Sequence, residues 1–345
     1  MTLKDKDKTA IIVTSVNRPG KALRQLASGS LQENFNFIVI GDTKSPLDFA
    51  LDGCCFFDID AQRKTGFKFA DLCPTDHYAR KNVGYLIAMR DGSLNILETD
   101  DDNIPGREFF TRRKKRVLTP VLEADGWVNV YRYFTDSLIW PRGFPLDLIH
   151  KSVIPLNRIP VREVDCPIQQ GLAGGNPDVD AIYRLLFPVY PQFNNIRHIA
   201  LGNDSWCPFN SQNTLWWPEA YPLLYLPSYC SFRMTDIYRS FVAQRIAWTN
   251  DWYILFHEAT VRQERNEHNL MNDFRNELPG YLNNGNINGA LNALNLKPGT
   301  ANIFQNMRLC YERLIEMGLV EAKELALLES WFSDIRDLEF DEFYP

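Results

Sequence analysis

The densest chemistry in the 345-residue sequence is Ile96-Leu97-Glu98-Thr99-Asp100-Asp101-Asp102-Asn103, a strand-like run that ends in consecutive carboxylates. Where a strand stops, no ladder partner neutralises such side chains, and adjacent negative charges are costly unless a cation compensates them. Hard divalent ions such as Mg²⁺ and Mn²⁺ prefer carboxylate oxygens and commonly share them with substrate phosphates. Asp100 and Asp102, two residues apart, are therefore expected to grip one Mn²⁺ or Mg²⁺ that bridges a diphosphate. A solvated acidic turn is the plain alternative. Just upstream, Arg80 and Lys81 offer positive charge to the same phosphates. Gly84 follows them inside a helical stretch, where it costs about 1 kcal/mol relative to Ala, and a close approach to sheet or ligand accounts for it.

The elements that must position these residues alternate. Ala10-Ile11-Ile12-Val13-Thr14 and Phe37-Ile38-Val39-Ile40 are continuous apolar runs, as expected of strands buried on both faces. The first ends in the turn-rich Ser15–Gly20 with a helix over Lys21 to Ala27, and the second closes at Gly41-Asp42. Pro74-Thr75-Asp76 opens a helix reaching about Arg90, with Gly92 as its stop, and Leu94 to Thr99 is the next strand. This alternation predicts an α/β fold with a mostly parallel central sheet, whose ligands sit at the carboxyl ends of the strands. From Trp127 to Pro227 the abundance of Pro, Gly, Asn and aromatics predicts short strands joined by long ordered loops. Met234 to Trp248 reads as a helix and Trp252 to Phe256 as a strand. The Asn/Gly-rich stretch from Asn283 to Gly299 predicts a connector, dividing a domain at 1–280 from a C-terminal helical extension at 281–345. In that extension Ile303, Met307, Cys310 and Leu314, then Leu325, Leu328, Phe332 and Ile335, fall at helical spacing.

A net charge of −6 argues against a nucleic-acid or anionic-membrane binder. The one basic run, Arg112–Arg116, reads as a solvated turn, with contact to a phosphorylated ligand as the alternative. No stretch approaches the roughly 20 apolar residues that span a bilayer, which leaves peripheral association as the membrane mode. The charged Met1 to Thr9 does not resemble a secretory signal, and the seven cysteines show no metal or redox spacing. Reduced thiols and a cytoplasmic location are expected.

The block from Ala79 to Asn103, ARKNVGYLIAMRDGSLNILETDDDN, resembles the nucleotide-sugar signature of GT-A glycosyltransferases. It is similar to the STELLO glycosyltransferase-like proteins through Pro74 to Asp101, and to the reversibly glycosylated polypeptides, or UDP-arabinopyranose mutases, through Asp100-Asp101-Asp102. The likeness continues in order through Trp140–Pro145, Gln169–Leu172, Pro177–Asp180, Pro208–Leu215 and Arg233–Arg239. Two departures stand out. STELLO proteins carry aspartate at the position of Glu98 and no acid at that of Asp102, which leaves open which of residues 98–102 hold the metal. They are also membrane-anchored, so their Golgi setting does not transfer.

The resemblance implies a GT-A fold, a nucleotide-sugar donor (a UDP-sugar favoured) and a glycan or other hydroxyl-bearing acceptor. It places Thr14, Ser15, Asn17, Arg18 and Asp42 around the base and ribose, with Asp101, Arg80 and Lys81 at the donor phosphates. It makes His257 a further metal ligand, and makes Asp236 the base of an inverting transfer, with helix capping as its competing role. Arg142, Gln170, Asp178, Asp180, Asn210 and Arg233 become sugar or acceptor contacts, although Asp178 or Asp180 could instead cap the helix-like Ala181–Phe187. Trp206, Trp216 and Trp217 are expected in the core rather than stacked on sugars. Two alternatives stay open: a pyranose/furanose mutase using a glycosylated arginine, with Arg142 and Arg162 in the relevant region, and a non-catalytic nucleotide-sugar-binding scaffold.

Overall fold

A computed structural model of the chain describes residues 9–187, 190–194, 198–264 and 269–338. Its strands are β1 (Thr9–Thr14), β2 (Asn36–Ile40), β3 (Cys55–Phe57), β4 (Asn95–Thr99), β5 (Asn103–Pro105), β6 (Arg116–Leu122), β7 (Gly126–Trp127), β8 (Val161–Asp165), β9 (Ile168–Gly174), β10 (His198–Leu201), β11 (Ser205–Trp206), β12 (Asn213–Trp216) and β13 (Ile254–Gln263). One 11-stranded sheet has the order β3-β2-β1-β4-β12-β9-β13-β10-β6-β8, with β5 on β13. The apolar runs near the N-terminus form its parallel side, β3, β2, β1 and β4. β12 then runs antiparallel between β4 and β9, and β9 is parallel to β13. As a result β1, β4, β9 and β13 all end at one edge, where β12 begins.

The helices are α1 (Lys21–Glu33), α2 (Ile59–Arg63), α3 (Lys68–Leu72), α4 (Lys81–Arg90), α5 (Ala181–Leu186), α6 (Thr235–Thr249), α7 (Leu270–Asn292), α8 (Ile303–Glu316) and α9 (Glu324–Asp337). One face of the sheet packs on α1 through Ile11, Val13, Leu23, Leu26, Phe37 and Leu97. The other carries the larger core, in which Ile12, Ile40, Val83 and Ile96 are continuous with Phe241, Leu314 and Trp331 of the late helices. Trp206 and Trp216 are buried in that core, as expected. Among the described residues no helix is long and apolar enough to cross a membrane. All seven cysteines are unpaired.

Every residue of α4 from Lys81 to Met89 is buried, which is why its sequence shows no polar face. A Cβ on Gly84 would lie 2.6 Å from Ile12 Cγ2 and 2.9 Å from Ile40 Cγ1, so the glycine is what lets α4 settle onto β1 and β2. The helix begins later than its sequence suggests: Asp76 adopts φ 55°, and a 3-10 turn at Tyr78–Arg80 leads into α4. A second correction concerns the expected connector. Asn283 to Asn292 are helical, the last part of α7, because Ile287 and Leu291 are buried and Asn284 donates to the Gly143 carbonyl at 2.7 Å. The asparagine-rich composition reflects a solvated helix face, not a loop. The terminal hairpin of α8 and α9 forms as expected and reaches back to the N-terminal half: Asp334 accepts from the backbone N–H groups of Lys68 and Phe69 at 3.0 and 2.8 Å.

Beneath the acidic turn, Glu98 is wholly buried. It accepts from Tyr85 of α4 and Trp216 of β12, and pairs with Arg239 of α6 at 2.8 Å. This residue is a joint between sheet and helices, which removes it from the choice of metal ligands. Removing one member of a buried ion pair leaves the other charge uncompensated. Glu98→Ala is expected to destabilise the fold by about 3–5 kcal/mol, read as a lowered urea midpoint, whereas a loss below about 1 kcal/mol would contradict this role.

Candidate active site

The edge where these strands end opens into a cavity of about 280 Å³. The turn after β4 gives it Asp100, Asp101 and Asp102, the end of β1 gives Thr14, and the end of β13 gives Gln263. The segment entering β12 adds Ser211 and Gln212, while Arg142, Asp178, Arg233 and Asp236 form the opposite wall. The acidic turn therefore faces a pocket and not bulk solvent.

Each acid of the turn is held differently. Lys81, fully buried, places its ammonium 2.9 Å from Asp100 Oδ1 and 2.9 Å from the Thr99 carbonyl. Burial pushes the Asp100 carboxyl upward, and Lys81 only partly offsets it. Asp101 Oδ2 accepts from Ser15 Oγ at 2.5 Å and Asn17 Nδ2 at 3.0 Å, so the turn after β1 fixes it. Gln263 donates to Asp102 Oδ2 at 3.1 Å. Among the described residues no three His, Cys, Asp or Glu side chains converge into a ready metal cage. The donor set suits a hard ion held by one or two carboxylates and completed by substrate oxygens and water, the usual manner of Mg²⁺.

The opposite wall is organised by Arg142. Its guanidinium meets Asp178 through Nε at 2.8 Å and Nη2 at 2.9 Å, and Asp236 through Nη1 at 3.0 Å and Nη2 at 2.9 Å. Asp236 is the second residue of α6 rather than its cap, and it also accepts from the Ser211 N–H at 3.3 Å and the Tyr78 hydroxyl at 3.3 Å. Burial alone would raise the Asp236 carboxyl, but the charge and hydrogen bonds of Arg142, helped by Arg239, outweigh it and hold it at about 2. Asp178 is likewise lowered, burial being overcome by Arg142. Arg233 turns to Glu277 at 2.9 Å and Asp273 at 3.9 Å on α7.

The remaining expected residues divide. Asn17 and Arg18 line a small adjoining cavity with Asp101 and Asp102, and Arg18 pairs with the exposed Asp48 at 2.9 Å. Asp42 ties the loop after β2 to the next turn, accepting from the N–H groups of Asp76 and His77 at 2.9 and 3.1 Å. Arg80 is not at the phosphate position: it is buried, donating to Gln62 Oε1 and to the carbonyls of Cys73 and Ala70, because only Lys81 of the pair faces the strand end. Asp180 is a helix cap and not a sugar contact, accepting from Tyr183 N–H at 2.7 Å and Trp140 Nε1 at 2.6 Å, with burial pushing its carboxyl up to about 6. Gln170 and Asn210 stand behind the wall. Gln170 Oε1 accepts from the Asn210 N–H at 2.8 Å, and Asn210 Nδ2 donates to Asp178 Oδ2 at 2.9 Å.

His257 is not brought to the acidic turn. It pairs with Gly171 in the sheet, and its ring points to the face that carries Leu97 and Leu215, lining a second cavity with Phe35, Arg112 and Arg113. Burial, reinforced by Arg113, drives its imidazole well below the usual range. The strand alternation of β13 sends its side chain through the wrong face for metal ligation. The basic run lies on this far side too, with Arg113 on Glu258, Lys115 on Glu219 and Arg116 on Glu163. Tyr78, Ser211, Gln212, Phe232 and Gln263 join the cleft without having been singled out. Ser211 and Gln212, inside the segment Pro208–Leu215, and Tyr78, inside Pro74–Asp101, carried a signal; Phe232 and Gln263 reach the site from a turn and a strand end whose sequence has no distinctive spacing.

Residues 233–344 match the family model of the STELLO glycosyltransferases. Two Arabidopsis thaliana proteins named probable glycosyltransferase STELLO2 and probable glycosyltransferase STELLO1 are 29% and 28% identical to the chain over 272 residues, 73% of its length. The alignment spans 35% of each of those proteins, about a third of their length. The chain is similar to the STELLO glycosyltransferases over those spans, and its α/β architecture with C-terminal helices is consistent with a glycosyltransferase-type fold.

The Arg142 clamp gives a pH signature. Asp236 is lowered in the folded state, so its stabilisation is complete above about pH 4 and is lost as pH falls through about 2. Replacing Asp236 by Asn is expected to flatten this part of the urea midpoint against pH profile relative to the parent chain, by on the order of 2 kcal/mol between pH 5 and 2. Parallel profiles for the two chains would contradict the clamp.

Proposed function

We propose that the cleft transfers a sugar from a nucleotide-sugar, with a UDP-sugar favoured, to a hydroxyl of an acceptor, aided by Mn²⁺ or Mg²⁺. The observation that carries this reading is a charge arrangement. Three consecutive carboxylates line the pocket, and among the described residues Lys81 pairs with Asp100 while Arg142 pairs with Asp178 and Asp236. Such a run of carboxylate oxygens suits a hard divalent ion that shares them with a diphosphate. Asp100 and Asp102 would hold the ion, with Asp101 fixed between them, and the ion would supply positive charge to the departing nucleoside diphosphate. Thr14 lines the cleft and Ser15 and Asn17 hold Asp101 beside it, and these residues would meet the nucleoside. The similarity to the two probable glycosyltransferases named above favours the same class.

Asp236 is the residue for the acceptor hydroxyl, with inversion as the outcome. The pairing with Arg142 keeps it ionised throughout the neutral range, so it accepts a hydrogen bond from the hydroxyl at every relevant pH. That pairing also weakens it as a base, because proton affinity falls with pKa. Transfer of the proton therefore coincides with late charge development on the attacking oxygen. Arg142, Asn210 and Gln170 act as positioning residues for Asp178 and Asp236. The mutase alternative needs a nucleophilic arginine. Arg142 is clamped in its protonated form by two carboxylates, and Arg162 lies on β8 at the far edge of the sheet, paired with Glu123 at 2.7 Å. A cytoplasmic setting is part of the proposal.

Two measurements test it. Thermal shift with UDP-, GDP-, CMP- and TDP-sugars is expected to show stabilisation by a UDP-sugar that requires Mn²⁺. In turnover assays, EDTA or the pair Asp100→Ala and Asp102→Ala should abolish transfer, and Asp236→Asn should lower kcat about 10²–10⁴-fold. Transfer that survives both EDTA and the double substitution would reject the metal-assisted scheme.

A further inference from the structure

We propose that Phe232 is a stacking platform for a pyranose ring of the acceptor, so that the acceptor is itself a glycoside. This rests on the transferase reading above and names its second substrate class. Phe232 lines the cleft yet is 47% exposed, an unusual state for a phenyl ring beside so many charges. Its ring is braced rather than loose. Tyr78 meets it edge-on at 4.9 Å and 76°, His77 at 5.2 Å and 68°, and these two stack on each other at 5.6 Å. The short turn Phe232–Met234 is tied down on both sides: the Ser231 hydroxyl donates to the Asn276 carbonyl, and Met234 seats against Gly280, where a Cβ would lie 2.6 Å from its Cε.

The platform belongs to the acceptor end. Tyr78, whose ring touches Phe232, places its hydroxyl 3.3 Å from Asp236 Oδ1, so a ring lying on Phe232 sits beside the carboxylate that receives the acceptor hydroxyl. The nucleoside end, at Ser15, Asn17 and Asp101, is formed by other strands. A pyranose suits this mixture. One face presents C–H groups to an aromatic ring, while its rim of hydroxyls can exchange hydrogen bonds with Arg233, Asp178 and Arg142. A wholly apolar aglycone would strip water from those charged groups and offer no hydrogen bonds in return, at a desolvation cost.

The test uses the full chain and saturation-transfer NMR with methyl β-D-glucopyranoside and the corresponding galactoside, mannoside and xyloside. The expected result is saturation of ring C–H protons of at least one glycoside. It should weaken at least fivefold in Phe232→Ala and be retained in Phe232→Trp. No saturation with any glycoside, or saturation unchanged in Phe232→Ala, would overturn the proposal. Calorimetry of UDP with Mn²⁺ on the same variants reports separately on the donor site, and is expected to be unaffected by Phe232→Ala. Loss of nucleotide binding in the parent chain would count against the transferase reading, while the glycoside signal would still decide the platform.

Discussion

The guanidinium of Arg142 joins parts of the chain that lie far apart in sequence. Asp178, in the loop after β9, lies 36 residues away and Asp236, at the start of α6, lies 94 away, and both meet the same planar group through paired hydrogen bonds. All three side chains are almost fully buried. A buried charge is tolerated when its partners are close and correctly oriented, and a fork-shaped cation facing two carboxylates is the geometry that achieves this. Two negative charges around one positive leave a residual negative potential. The wall of the cleft is consequently rigid and ionised, and it gains little freedom to titrate.

Across the cavity the same principle operates with a different balance. Lys81 reaches the end of β4 through the interior, from a helix whose approach depends on the absent side chain of Gly84. Glu98, one strand residue below the turn, directs its charge into the helices and never contributes to the pocket. Strand alternation explains this division. Residues of one parity meet α4 and α6, residues of the other meet α1, and residues at or just past the strand ends face the opening. The cleft is thus a consequence of where pairing stops on several strands at once.

Much of this was legible in the sequence because it depended on local patterns. Continuous apolar runs marked β1 and β2, and the acids after β4 marked the opening, since both signals reside in adjacent residues. The errors share a cause in side-chain direction. The resemblance makes His257 a metal ligand, but the parity of β13 turns it to the other face. Arg80 and Lys81 are neighbours with opposite destinations, one inward to Gln62 and α3, the other to the acidic turn. Asp178 and Asp180 differ likewise, one in the clamp and one capping α5. Residue type announces such groups, whereas direction is set by contacts far along the chain. Asn283–Asn292 failed for a simpler reason: composition spoke for a loop, while two buried apolar residues and one buried amide sufficed to keep a helix.

The reach of the C-terminal hairpin bears on how the protein is made. Asp334 on α9 caps the start of α3 through two backbone N–H groups, and α3 in turn supplies a carbonyl to Arg80, the residue just before Lys81. Glu324 similarly receives the N–H groups of Ser228 and Tyr229, on the approach to Phe232. Both walls of the opening are therefore braced by helices that follow every strand of the sheet in the chain. During translation the strands emerge before α9, so both walls stay unbraced until the hairpin has followed them.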